Sequence, residues 1–228
     1  MLQQTQTSRV TSKYDEFISI FPDFFELARA PLKEVLRVWQ GLGYNRRALA
    51  LQRTAQKIVA EFDGQLPSDP KVLNRFPSIG QYTAAAVAAI AFNKPTVLIE
   101  TNIRTVFLYF FFGQSNRTSD RDILSLVDAT LDRENPREWY YALFDFGAML
   151  KHQRNNIPRS KQHRQSYFRG SNREIRGHII RLLLSKESVT KQELVDLFRA
   201  NSERVKQITI QLQEEGLIDI RGKQIRIR

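Results

Sequence analysis

The sequence has no cysteine, which excludes disulfides, a thiolate nucleophile, cysteine-ligated zinc and an iron–sulfur cluster together. Histidine is nearly as scarce. The three residues, His152, His163 and His178, are scattered, so no histidine-built metal site is expected. No stretch approaches the ~20 apolar residues that span a bilayer. The greasiest run, Val106 to Phe112, stops at Gly113 and reads as part of a buried helix. The first residues, MLQQTQTSRV, lack the charged start and apolar stretch of a secretory signal, which with the missing cysteines predicts a cytoplasmic protein. Acidic residues are in deficit too: 24 against 35 basic ones, a net charge of +11. The excess is unevenly spread, with net +1 over residues 1–150 and net +10 over residues 151–228. A hydrophobic content of 42% excludes a disordered polyelectrolyte. The basic end therefore reads as a surface for a polyanion, nucleic acid first and anionic membrane second.

What is present points to helices. At roughly 150 residues per domain, 228 residues make room for one medium domain and one small one. Leu32, Val35, Leu36, Val38 and Trp39 recur at helical spacing behind Pro31. Further helices are expected over Arg47 to Phe62, Pro70 to Phe76, Tyr82 to Phe92, Asn102 to Phe112, Asp120 to Leu131 and Pro136 to Leu150, with Gly- or Pro-containing breaks between several of them. Residues 1–150 thus read as an all-α domain. The stretch from Lys151 to Arg176 holds eight basic residues and a single acidic one, Glu174, and supplies a basic linker over 151–172. Residues 173–228 follow as a compact unit: a helix around Arg173 to Ser185, a capping-box start at Thr190 and Glu193 leading a helix to Phe198, and a helix over Ser202 to Glu215. Leu217 to Ile220 and Gln224 to Ile227 then alternate like a hairpin around Gly222. Three helices and a hairpin resemble a winged helix-turn-helix, a fold that binds DNA or other proteins.

The segment Leu73-Asn74-Arg75-Phe76-Pro77-Ser78-Ile79-Gly80-Gln81-Tyr82-Thr83-Ala84 places a Pro/Gly turn before a helix of small residues. Such a turn exposes a helix N-terminus whose backbone N–H groups suit a phosphate and ask nothing of the base sequence; an ordinary helical hairpin with an Ala-rich packing face fits the same residues. Four more segments accompany it: Met1-Leu2-Gln3-Gln4-Thr5-Gln6, Trp39-Gln40-Gly41-Leu42-Gly43-Tyr44, Ile99-Glu100-Thr101-Asn102-Ile103-Arg104 and Asp145-Phe146-Gly147-Ala148. Taken in order, the five resemble the MLQQTQ, W-x-GLGY, LPGVGxYTA, VDGNVxRV and D-x-GA segments of the helix-hairpin-helix DNA glycosylases, and specifically the A/G-specific adenine glycosylases.

That resemblance implies hydrolysis of an N-glycosidic bond after the target nucleotide leaves the duplex. A departing purine leaves an oxocarbenium-like sugar, so one carboxylate must stabilise positive charge while an acid protonates the base. The resemblance gives the first role to Glu100, where the family usually has Asp, at a helix start that favours negative charge. It gives a positioning role to Asn102. The family's proton-donating glutamate precedes the Met of MLQQTQ by two residues, so the first helix of the usual domain is expected to be missing, through a misassigned start codon. Tyr82 stands where bifunctional relatives such as endonuclease III carry a Schiff-base lysine; a phenol cannot form that imine, which implies a monofunctional enzyme.

Gln3, Gln4, Thr5 and Tyr44 match positions that approach or wedge into the base stack, although Tyr44 also suits a core aromatic beside Trp39. Arg46, Arg47 and Arg104 are candidate phosphate contacts or solvated helix faces, and Ser78, Ile79, Gly80 and Gln81 form the candidate hairpin contact. The family's usual four-cysteine [4Fe–4S] cluster cannot form here, so no cofactor is expected. The expected partner of this monomeric, nucleoid-associated protein is double-stranded DNA with a mispair or damaged base, with no membrane involved. The expected reaction is excision of adenine opposite guanine or 8-oxoguanine. The alternatives are thymine or uracil excision opposite guanine and DNA binding without chemistry.

Overall fold

The computed structural model describes residues 1–113, 118–153, 167–198 and 202–228. The fold is mainly helical. The helices in order are α1 (Thr7–Ile20), α2 (Phe24–Arg29), α3 (Leu32–Val38), α4 (Arg46–Phe62), α5 (Pro70–Leu73), α6 (Gln81–Phe92), α7 (Thr101–Phe111), α8 (Asp120–Thr130) and α9 (Pro136–Gln153). Then come α10 (Asn172–Ser185), β1 (Val189–Thr190), α11 (Lys191–Leu197), α12 (Ser202–Glu214), β2 (Ile218–Arg221) and β3 (Gln224–Ile227). Local chemistry sets several ends. Ser119 with Asp122 and Thr190 with Glu193 form capping boxes, each satisfying two backbone donors at a helix start. Asp63 and Asn93 close α4 and α6 in the left-handed conformation.

The chain forms two compact units, Met1–Leu66 with Gln165–Arg228, and Pro67–Arg164. This division differs from boundaries at 150 and 172. In the first unit one apolar cluster runs from Phe17, Val35, Leu36 and Trp39 to Ile179, Leu183, Ile208, Ile225 and Ile227, so the two ends of the chain share a core. The reason is geometric: α3 packs against α10, and Lys33 Nζ donates to the Lys186 carbonyl at 3.1 Å. The C-terminal segment contains the expected three helices and hairpin, with β1 in addition. The sheet order is β1-β3-β2, both pairs antiparallel.

The second unit is contiguous in sequence. Its core gathers Ala89 of α6, Ile103 and Phe107 of α7, Ile123 and Val127 of α8, and Tyr140 of α9. Tyr140 lies inside it, donating to the Thr96 carbonyl at 2.7 Å and accepting from the Leu98 N–H at 3.2 Å. Two expectations are corrected here. The run from Val106 to Phe112 is not buried throughout: Val106, Phe107 and Leu108 are, whereas Phe110 and Phe111 are 59% and 54% exposed, because a helix packed on one side cannot hide seven consecutive residues. The basic linker also starts later and ends earlier, since α9 continues to Gln153 and α10 begins at Asn172. Residues 154–166 of that linker lie outside the described residues. Among the described residues no helix is long and apolar enough to cross a membrane.

Candidate active site and nucleic-acid interface

The second unit brings Glu100, Asn102 and Tyr82 together. Glu100 is the N-cap of α7, in extended backbone conformation, and its Oε1 accepts the Asn102 N–H at 2.6 Å and the Ile103 N–H at 2.9 Å. Shorter side chains usually fill this position; here the additional methylene is taken up by the side chain folding back on the helix start. Among the described residues Oε2 accepts no hydrogen bond, so one oxygen is fixed and the other is available to a reacting group. The Tyr82 phenol feels the Glu100 charge. Burial first, and that charge second, push it above the usual tyrosine range, so it acts as a neutral hydroxyl.

A fourth group, which sequence reasoning missed, completes the cluster. Lys151 Nζ donates to Asn102 Oδ1. Burial of its amine end pushes the ammonium below the usual lysine range, against the pull of Glu100 in the other direction. Lys151 reaches Asn102 because Gly147, one turn earlier on α9, lies directly against it: a Cβ at 147 would stand 2.4 Å from the Asn102 carbonyl oxygen. The signal was a spacing. Residues four apart share a helix face, and a helix ended at Leu150 leaves Lys151 off that face.

The hairpin is the segment from α5 to α6, and α5 ends at Leu73, earlier than the expected Phe76. Ser78, Gly80 and Gln81 are exposed at its tip, with Ile79 half-buried. Gly80 caps α6 without a side chain, so no side-chain acceptor covers the helix start. Ser78 holds φ +57°, a left-handed conformation, where the resembled segment has glycine.

In the first unit the structure joins two segments that are 40 residues apart. Arg47 Nη1 donates to the Met1 carbonyl at 2.9 Å and to the Gln3 carbonyl. Nη2 donates to Thr5 Oγ1 at 2.8 Å and to the Leu42 carbonyl at 2.9 Å. The guanidinium also lies 5.4 Å and 5.6 Å from the ring centres of Trp39 and Tyr44, a favourable cation–π distance. Arg47 therefore ties loops together, and its donors face the protein where the sequence suggests a phosphate. Gln3 and Gln4 are exposed beside it, and Tyr44 is 37% exposed, so it is not a core aromatic. Gln4 and Tyr44 have φ +56° and +48°. Strained backbone of this kind persists where surrounding contacts enforce it, often at functional sites. Arg46 is exposed and lies 3.9 Å from Glu215. Arg104 pairs with Asp120 across α7 and α8. Among the described residues no group of three or more His, Asp or Glu could hold a metal ion.

The family model "HhH-GPD superfamily base excision DNA repair protein" matches residues 1–129. The chain is similar to an adenine DNA glycosylase of Buchnera aphidicola, 30% identical over 151 residues, which cover 66% of this chain and 43% of the relative. A mouse adenine DNA glycosylase is 34% identical over 154 residues, covering 66% and 30%. One from Mycobacterium tuberculosis H37Rv is 28% identical over 216 residues, covering 85% and 71%. The chain thus spans less than half the length of the first two relatives. Among solved structures, a thermostable thymine-DNA glycosylase superposes with a TM-score of 0.62 at 24% identity, covering 69% of this chain and 73% of that one. Endonuclease III trapped on DNA superposes with a TM-score of 0.59 at 19% identity and the same coverages. These two establish the fold. With over half its residues matched by the family model and its helices arranged as in these structures, the chain belongs to the HhH-GPD superfamily of base excision DNA repair proteins.

Proposed function

We propose that this chain is a monofunctional DNA N-glycosylase that removes adenine mispaired with guanine or 8-oxoguanine, acting as a monomer on double-stranded DNA and without a cofactor. The observation that carries the reading is the state of Glu100, one oxygen held by two N–H groups of α7 and the other accepting no hydrogen bond among the described residues. A carboxylate held in this way stabilises positive charge developing on a sugar without having to reorient. Water adds at C1′ as the glycosidic bond breaks, and the base leaves as neutral adenine after taking a proton. Asn102, held by Lys151, fixes the first turn of α7 from which Glu100 works. The uncovered start of α6 and the exposed tip Ser78–Gln81 suit a phosphate of the same strand. In the first unit, Gln3, Gln4 and Tyr44 are exposed and suit contact with stacked bases. We read the C-terminal segment as a winged helix-turn-helix.

The test is single-turnover base release from duplexes containing A:G, A:8-oxoguanine, T:G and U:G pairs. Release of adenine from the first two alone is expected. Release of thymine or uracil overturns the assignment of the base, and binding with no release from any duplex overturns the enzymatic reading. A covalent enzyme–DNA adduct after borohydride treatment overturns monofunctionality.

A further inference from the structure

The first unit carries an arginine surface that none of the five sequence segments explains. Helix α4 contributes Arg46 and Arg53, α10 contributes Arg176, and the hairpin contributes Arg221, Arg226 and Arg228. Glu215, just past α12, lies between two of them: Arg46 is 3.9 Å away and Arg176 is bonded to its other oxygen. Gly216 follows with φ +82° and no side chain, and two guanidinium groups converge above it. A Cβ there would lie 2.5 Å from Arg53 Nη2 and 3.4 Å from Arg228 Nη1. Strand alternation continues the line. Ile225 and Ile227 point into the core, so Arg226 and Arg228 lie on the outer face. The pairing of Asp219 with Arg226 and of Arg221 with Gln224 puts Arg221 there as well.

Six arginines thus meet two carboxylates, Glu215 and Asp219, and all but Arg176 are exposed. Like charges gathered in this way repel one another unless a counter-anion sits over them. The outward side of α12 differs. It exposes Glu203, Lys206, Ile210 and Glu214, with Lys206 already 3.4 Å from Glu203. A guanidinium fork matches a phosphate bidentately, so converging arginines suit a phosphate-bearing polyanion.

We propose that this face, built jointly by α4 and the C-terminal sheet, is a contact for the phosphate backbone of double-stranded DNA, and that the C-terminal segment holds the duplex through it and not through α12. The proposal rests on the reading of DNA as the substrate.

The test measures affinity of the full chain for a fully paired duplex between about 50 and 200 mM salt, where the slope of log K against log salt changes by about 0.9 for each phosphate contact. The triple variant Arg53→Gln/Arg226→Gln/Arg228→Gln is expected to flatten that slope by about 2.7. Arg226→Gln alone, at an exposed strand position away from Gly216, is expected to fold normally and flatten it by about 0.9. Lys206→Gln on α12 is expected to leave it unchanged. Wild-type slopes in both arginine variants, or a loss that follows Lys206→Gln, overturn the proposal. A wild-type chain that does not bind the duplex at all overturns the DNA reading together with it.

Discussion

The two units each turn a charged side chain inward to hold a loop, with opposite results. In the first, Arg47 directs both terminal nitrogens at the carbonyls of Met1, Gln3 and Leu42 and at Thr5 Oγ1, joining two loops, while its Nε is buried without a partner among the described residues. In the second, Glu100 uses one oxygen on two N–H groups of α7 and keeps the other open. A charged residue in a resembled segment can therefore be spent on joining loops or keep a lone pair unbonded, and the carboxylate oxygen left over on Glu100 marks the difference.

Replacing each centre tests that contrast most strongly. Glu100→Gln keeps a carbonyl oxygen for the cap but loses the negative charge. Base release in single turnover is expected to fall about 10²–10³-fold with the thermal midpoint little changed, and a large drop in midpoint would return Glu100 to a structural role. Arg47→Met should do the reverse, destabilising the first unit by about 2 kcal/mol as several part-buried or exposed acceptors lose charge-assisted bonds. Hydrogen exchange in segments 1–5 and 42–47 reads this directly, and unchanged protection there would break the comparison.

The second unit has a further handle in its core. Burial pushes the Tyr140 phenol up to about 12, so the folded state keeps its proton to higher pH than the unfolded state, which loses it near 10. The associated stability is fully present below about pH 10 and is lost as pH rises through about 12, roughly 3 kcal/mol across that window. Denaturant unfolding of wild type and Tyr140→Phe should show that slope only in the former. The smallest expected effect is at the hairpin. Ser78→Gly relieves a left-handed backbone and should stabilise the second unit by about 1 kcal/mol; a destabilisation would mean that the serine side chain contributes more than its strain costs.

Much of this was readable beforehand. The capping box at Thr190 and Glu193 specifies a helix start through local bonds alone, and it appears as expected. Glu100 at a helix start followed from its neighbours in the same way. Contacts between distant segments were not readable. Periodicity marks Val35 and Leu36 as inward-facing but cannot say that α10 covers the helix that carries them. Nothing local shows that Arg47 would turn toward Met1 and Gln3. Lys151 was hidden by a shift in composition: a run of basic residues looks like a linker, yet α9 continues beneath its first turn.

The shared core of the first unit also has a consequence for synthesis. The ribosome delivers Phe17, Val35 and Trp39 early, but their packing partners Ile179, Ile225 and Ile227 emerge last. At about 5–20 residues per second, the roughly 140 or more intervening residues keep that apolar surface waiting on the order of ten seconds. The second unit needs no such delay, being continuous in sequence, and can close while the first stays open. Nascent chains of this protein therefore need protection at the N-terminal helices, and a messenger cut short before α10 yields a polypeptide with its second unit complete and an uncovered apolar face on the first.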